Sequence, residues 1–444
     1  MGLAAGGGAF RTDLVPVAMS FPAHDLTAAM PARLPDEVAS RAALRRHYDT
    51  VRRETLSRTR GLTVEDQCAQ AMPDASPTKW HLAHTTWFFE AVVLMPNGFH
   101  DSVRPGWHVL FNSYYESMGP RHPRPERGLL TRPPLADILA WRQDVDRAMQ
   151  QLIDGVDTRA WPEVERLARI GMAHEAQHQE LILTDILALF ARHPQEPAVR
   201  LEAAPDSALG QGGVSPELGW HTMSPGLYRI GHDGAGLAFD NEGPAHDVMV
   251  PGFAMASRPV NGGDLIHFIE DGGYQDPQWW ASDGWALAQA QDWQAPLYWA
   301  ERDGQWTTLG LQGRQQVDPN EPVAHLSFHE ALAVAAWAGA RLPTEMEWEV
   351  WARQAGPEVW CNRPLPHGLG RVWEWTRSAY EPYPGYRPWP GALAEYNAKF
   401  MVGQQVLRGA SHATPSWETR PSYRNFFPPT ARWQFTGVRL ARDL

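Results

Sequence analysis

From Arg41 onward, apolar residues recur three and four apart, the period of a helix with one buried face. Leu44, Tyr48 and Val51 form the first such stripe, over about 41–60. A second begins after Ser76-Pro77, where serine as a cap and proline in the first turn predict a helix start, and runs through WHLAHTTWFFEAVVL. Leu135, Ile138, Leu139, Trp141 and Val145 mark a third helix over about 134–154. The fourth, about 162–192, continues into LILTDILALF, which is apolar and helix-forming. Beyond residue 218 the texture changes. GLYRIGH and HDVMVPGFAMA alternate as strands do, whereas NGGDLIHFIEDGG and FHEALAVAAWAGA read as short helices. The pattern therefore predicts an α+β, two-domain protein: a four-helix bundle over 41–195, a linker over 196–218 and a compact, loop-rich α+β domain over 219–444. Residues 1–40, rich in Ala, Gly and Pro, are expected to form a disordered tail.

Composition supports the division and narrows the function. A chain of 444 residues exceeds one ordinary hydrophobic core. Its 21 tryptophans, with 38 each of Gly and Pro, fit an irregular, aromatic-rich second domain better than a regular bundle. A formal net charge of −12 argues against nucleic-acid or anionic-membrane partners and leaves small molecules. No apolar run reaches membrane-spanning length, and MGLAAGGGAF lacks the basic start and apolar core of a secretory signal. Two cysteines, Cys68 and Cys361, are too few for a disulfide framework, which fits a cytoplasmic protein.

The candidate chemistry lies in GMAHEAQHQELILTDI, residues 171–186. His174 and His178, four apart, share a helix face in step with Leu167, Ile170 and Leu181. Buried imidazoles need partners, and two at this spacing form half of a first-row metal site. A pair of satisfied core histidines is the competing reading, and only a third ligand decides between them. His81 and His84, three apart on the second helix, are both able to supply it. Three histidines leave coordination positions open, as catalytic sites do, and the spacing does not choose iron over zinc. Glu180 is rotated off the shared face and takes a supporting role.

Several longer motifs carry a family resemblance. RLPTEMEWE (341–349), VWEWT (372–376), LRGAS (407–411) and FTGVRLAR (435–442) resemble the formylglycine-generating-enzyme, or sulfatase-modifying-factor, domain, a C-type-lectin-like fold. WHLAHTTWFFE (80–90) with HEAQHQE (174–180) resembles the DinB-like bundle. Their fusion in this order, with FNSYYESMGPRHPRPERGLL and SYRNFFPPTARWQFTG, resembles the EgtB-type non-haem iron enzymes of ergothioneine biosynthesis. The resemblance implies Fe(II) as cofactor, O2 as co-substrate, and a bond made from a sulfur or selenium donor to C2 of the hercynine imidazole. It implies His84, His174 and His178 as iron ligands, with His81 supporting them. It implies Tyr114 or Tyr115 as the catalytic tyrosine, Tyr114 being favoured. It makes Gln177, Asn425, Phe426 and Phe427 candidates for holding hercynine, and Arg127, with Arg121 and Arg124 nearby, candidates for a donor carboxylate. Glu345 and Arg439 read as structural.

The chain departs from the family pattern at His412, where cysteine is common, at Arg371 before VWEWT, and in a shortened EVWCNRPLPHGLG. In the family the second domain helps to form the donor pocket, which makes His412 a substrate-binding candidate, and these positions leave the donor open between cysteine, γ-glutamylcysteine and a selenosugar, the last being the substrate of the selenoneine branch. A DinB-type metal-dependent thiol transferase, working without oxygen, is the alternative from another class.

Overall fold

The structure, a computed structural model, describes residues 41–98, 104, 106–199, 218–234, 236–354 and 368–444. The expected tail over 1–40, residues 200–217 of the expected linker and Cys361 lie outside the described residues.

The helical half comprises α1 (Arg41–Ser57), α2 (Thr78–Phe88), the short α3 (Trp107–Phe111), α4 (Leu135–Gly155) and α5 (Trp161–Phe190). The apolar stripes end up inside: Leu44, Tyr48 and Val51 of α1 and Ile138, Trp141 and Val145 of α4 are all fully or almost fully buried. Helix α5 is buried on most of its circumference, polar residues such as Glu175, His178 and Asp185 included, so those need partners inside the protein. Its close approach to α2 depends on Gly171, because a Cβ there would lie 2.5 Å from the ring of Phe89. Phe89 opens a π-helical turn, Phe89–Leu94, that continues α2. Ser76 is not the cap expected of it. Helix α2 has Pro77 at its N-cap and no side-chain cap. The Ser76 N–H instead donates to Asp185 at 2.7 Å, and its Oγ accepts from Arg127 at 2.9 Å.

One charged network is buried between the helices. Glu175 of α5 accepts from Arg52 Nη1 at 2.9 Å, Thr55 Oγ1 at 2.5 Å and Arg142 Nη2. Arg52 also reaches Asp146 at 2.6 Å, which balances the charges. Buried ions that neutralise one another are tolerated where a lone one is not. This network joins α1 and α4 to the turn of α5 that carries His174.

Among the described residues the second half holds twelve short strands: β1 (Trp220–Met223), β2 (Gly226–Ile230), β3 (His246–Val250), β4 (Phe253–Ala256), β5 (Trp299–Arg302), β6 (Gln305–Gly310), β7 (Gly313–Gln316), β8 (Trp373–Ala379), β9 (Gln405–Gly409), β10 (Asn425–Phe427), β11 (Thr436–Gly437) and β12 (Ala441–Asp443). They form sheets ordered β1-β4-β12, β10-β9-β8-β11, β2-β3 and β5-β6-β7. Helices α6 (Gly262–Glu270), α7 (Ser282–Ala290), α8 (Phe328–Trp337) and α9 (Glu345–Arg353) accompany them. Glu345 pairs with Arg408 and Arg424, and Arg439 with Glu374, all buried, so these signature residues hold the domain together. No helix among the described residues is long and apolar enough to cross a membrane.

Helix α5 is the element both halves share. Trp373 Nε1 and Thr414 Oγ1 donate to Glu180 at 2.9 Å each, and Trp433 Nε1 donates to Asp185 at 3.1 Å. The supporting role expected of Glu180 is thus a strut to the second domain.

Candidate metal centre

The rotation of α2 against α5 decides which histidines meet. His84 Nε2 lies 3.2 Å from His174 Nε2, and His178 Nε2 lies 3.1 Å from the same atom. His84, His174 and His178 are 0, 2 and 5% exposed, and among the described residues they form the one His/Cys/Asp/Glu group whose ligand atoms all lie within 4.8 Å of one another. Three nitrogens about 2.0–2.1 Å from one first-row ion, on neighbouring coordination positions, would stand roughly 3 Å apart. The observed spacing fits that arrangement.

The protonation of the rings fits as well. Burial holds the His174 ring at a pKa of about 3. Burial, reinforced by the neighbouring imidazoles, pushes His84 and His178 well below the usual histidine range. All three are neutral at ordinary pH, the state in which imidazole is a ligand. Their far nitrogens are also accounted for. His84 Nδ1 lies 2.7 Å from the Phe111 carbonyl, which can only accept, so the Nε2 lone pair is free for an ion. His178 Nδ1 lies 2.8 Å from His81 Nδ1, and His81 Nε2 lies 3.0 Å from Asp185 Oδ2. A proton passed along that chain in one direction leaves His178 Nε2 free too. Spacing left both histidines open and the family resemblance favoured His84; in the structure His84 joins the cluster, and His81 stands behind His178. His174 Nδ1 has no hydrogen-bond partner among the described residues.

Aromatic rings wall the cluster. Trp80 stacks on His84 with centroids 4.6 Å apart, and Phe88 lies 4.5 Å from His174. The Arg127 guanidinium sits 3.4 Å over the outer face of Trp80. It is 4% exposed and, among the described residues, donates only to the hydroxyls of Ser76 and Ser113. Burial, aided by Arg124, pulls its pKa down to about 9, which marks a buried cation with no carboxylate partner in contact. By contrast Arg121 pairs with Glu116 at the surface, and Arg124 bonds the Asp74 carbonyl.

The second domain covers this face. Tyr396 Oη donates to Gln177 Oε1 at 2.6 Å, and Gln177 Nε2 donates to Tyr423 Oη at 2.8 Å. The Tyr396 ring is 5.7 Å from that of His174, so Gln177 is held beside the cluster with one N–H free among the described residues. Glu395 accepts from the backbone N–H groups of Glu116 and Ser117 at 2.9 and 2.8 Å, and Lys399 bonds the Tyr114 carbonyl. These contacts fix the loop carrying the two tyrosines. Tyr115 is fully buried against Trp87 and Phe88, and its hydroxyl has no partner among the described residues. Burial, with Tyr114 nearby, raises its pKa well above that of a free phenol. Tyr114, the residue favoured from the sequence, is half-buried and packs edge-on to Phe400, which in turn faces Phe426.

The remaining expected residues are more dispersed. Phe426 stacks on Tyr380 at 4.1 Å, Phe427 packs on Trp433, and the Asn425 side chain accepts from the Phe426 N–H. His412 is exposed, its ring against Phe435 and its N–H bonded to the Arg371 carbonyl, and it is not a member of the buried cluster. Arg371 itself pairs with Glu321. Tyr396, Tyr423 and Asp185 escaped the sequence reading. Asp185 had a signal, a lone acid on the apolar stripe two turns past His178. Tyr423 lies within the quoted SYRNFFPPTARWQFTG motif but was not singled out, and Tyr396 sits in loop-rich sequence with no such signal.

Comparison with known proteins agrees with this architecture. Residues 47–182 match the DinB superfamily, and residues 219–363 and 365–444 match the sulfatase-modifying factor enzyme 1-like domain. The chain is 34% identical to a hercynine oxygenase of Mycolicibacterium smegmatis over 84% of this chain and 93% of that one. It is equally similar, 34%, to the hercynine oxygenase of Mycolicibacterium thermoresistibile over 92% of this chain and 96% of that one. Ergothioneine biosynthesis protein 1 of Schizosaccharomyces pombe is 25% identical over 53% of this chain and 31% of its own length. With both domains present in the same order, and a third of residues identical over nearly the whole length, the chain belongs to the EgtB-type hercynine oxygenase family.

Proposed function

We propose that this protein is an Fe(II)- and O2-dependent enzyme that joins a sulfur or selenium donor to C2 of the hercynine imidazole. The observation that carries the reading is the convergence of His84, His174 and His178 Nε2 beneath a lid of tyrosines from the second domain. His84, His174 and His178 would hold the iron, which would supply the dioxygen-activating chemistry when bound. The chain's own residues bind and orient. Gln177, fixed at both ends by Tyr396 and Tyr423, offers its free N–H to the substrate imidazole. The aromatic wall of Tyr114, Phe400 and Phe426 suits a trimethylammonium group, which is attracted to ring faces. Arg127, buried without a carboxylate in contact, is suited to the donor's carboxylate, a charge-assisted pairing. Tyr115, buried against Trp87 and Phe88 with no partner for its hydroxyl among the described residues, is the better candidate of the pair for a hydrogen bond to the reacting centre.

The test is reconstitution with Fe(II) under anaerobic conditions, then exposure to air with hercynine and cysteine, γ-glutamylcysteine or a selenosugar in separate reactions, read by mass spectrometry. A hercynine adduct that requires both iron and oxygen supports the reading, and the productive donor assigns the chalcogen. Thiol transfer that proceeds without oxygen, or no adduct with any donor, overturns it.

A further inference from the structure

We propose that Asp185 is a positioning residue of the metal centre, acting through His81 on the ligand His178 and held in place from the second domain by Trp433. The inference rests on reading the three imidazoles as a metal site.

Asp185 lies two turns beyond His178 on α5 and is 5% exposed. Its Oδ2 accepts from the Ser76 N–H at 2.7 Å and from His81 Nε2 at 3.0 Å, and its Oδ1 accepts from Trp433 Nε1 at 3.1 Å. Every one of these partners presents a hydrogen to a group that has none. That set fixes the His81 ring with its proton on Nε2 and its lone pair on Nδ1. His81 Nδ1, 2.8 Å from His178 Nδ1, then takes the His178 proton on that side. His178 Nε2 is left with a lone pair directed at His84 and His174. A carboxylate next to a ligating histidine is a common way to hold its tautomer and raise its basicity. Here the carboxylate stands one imidazole further back, so its influence reaches the ligand only through His81.

A purely structural role for Asp185, tying Ser76 to α5, leaves the His81 contact unused. The two roles separate on substitution. In Asp185→Asn one oxygen becomes an N–H donor. Turned toward His81, it faces a donor and favours the other tautomer of His81, which moves the His178 proton onto Nε2 and blocks the ligand atom. Turned toward Trp433, it leaves that indole N–H unpaired and offers His81 only a neutral oxygen. Both orientations weaken metal binding.

The experiment measures Co(II) binding to the apoprotein by competition with a chelator, records the Co(II) visible spectrum, and checks folding by circular dichroism. Loss of outer partners of a ligating histidine costs about 10–100-fold in affinity, and that loss, with a shifted Co(II) spectrum, is expected for Asp185→Asn. Trp433→Phe, which keeps an aromatic ring against Phe427, is expected to weaken binding in the same direction and by less. His81→Phe removes the intermediary. In its background Asp185→Asn is expected to cost less than twofold, because residues acting in series are not additive. Should Asp185→Asn fail to fold, Trp433→Phe and His81→Phe carry the same comparison. Co(II) affinity and spectrum unchanged in Asp185→Asn, or undiminished loss in the His81→Phe background, overturn the inference while leaving the metal site intact. Failure of the wild-type protein to bind Co(II) overturns the metal reading itself, and the inference with it.

Discussion

Glu175→Gln is expected to be among the most damaging single-atom changes in the helical domain, although Glu175 touches no substrate. Its carboxylate is fully buried, with Arg52 and Arg142 equally enclosed on either side. Burial alone would raise its pKa, but Arg142 and Arg52 overcome that and hold it down at about 2. A pKa displaced from about 4.5 to about 2 corresponds to roughly 3 kcal/mol of stability at neutral pH, at about 1.4 kcal/mol per unit. Removing one partner of a buried ion pair costs about 3–5 kcal/mol, so two routes to the magnitude agree. Arg142 would be left worst off, because Arg52 keeps Asp146 whereas Arg142 would face only Thr85 Oγ1 and the Arg52 carbonyl. At roughly 2–4 °C per kcal/mol for a domain of this size, the melting temperature should fall by about 6–20 °C. The same linkage gives a pH signature. The folded value lies below the unfolded one, so this contribution is complete above about pH 4.5 and disappears as pH falls toward 2. Thermal melts of wild type and variant between pH 3 and 7 test both parts. A melting temperature within 2 °C of wild type at pH 7, or a difference that does not narrow on acidification, refutes the reasoning.

Other consequences are open to simpler tests. Helix propensity alone favours alanine over glycine at position 171 by about 0.5–1 kcal/mol, yet Gly171→Ala should lower the melting temperature, because the new Cβ meets Phe89 at 2.5 Å and overpacking costs about 1–3 kcal/mol. Arg127→Met should leave apoprotein stability within about 1 kcal/mol of wild type, since a buried guanidinium without a carboxylate partner adds little, while raising KM for a carboxylate-bearing donor by tenfold or more. Unchanged donor KM would remove Arg127 from the donor site. Glu395→Ala releases the backbone of Glu116 and Ser117, so turnover should fall several-fold with bound iron unchanged, as measured by steady-state rates beside metal analysis.

The four long helices were legible from the sequence because amphipathic periodicity is a local property: the stripes at Leu44–Val51 and Leu135–Val145 are recorded within single segments. The His174/His178 pair was legible for the same reason, since an i,i+4 spacing fixes a shared face wherever the helix goes. The strands at GLYRI and HDVMV followed from alternation. Local pattern failed where a neighbour from far along the chain made the better offer. Ser76 gives its hydroxyl to Arg127 and its N–H to Asp185 instead of capping α2. Tertiary structure brought His84, which spacing left open and the family resemblance favoured, against His174, because that meeting depends on how α2 is rotated against α5, some ninety residues away in sequence. It also decided which tyrosine of the FNSYYE loop is buried with a free hydroxyl, and it brought Tyr396 and Tyr423 onto Gln177. The sequence determined which side chains could do chemistry and which faces they occupy. Which of them meet was determined by packing between segments, where shape, burial and hydrogen-bond satisfaction act at distances that no local periodicity encodes.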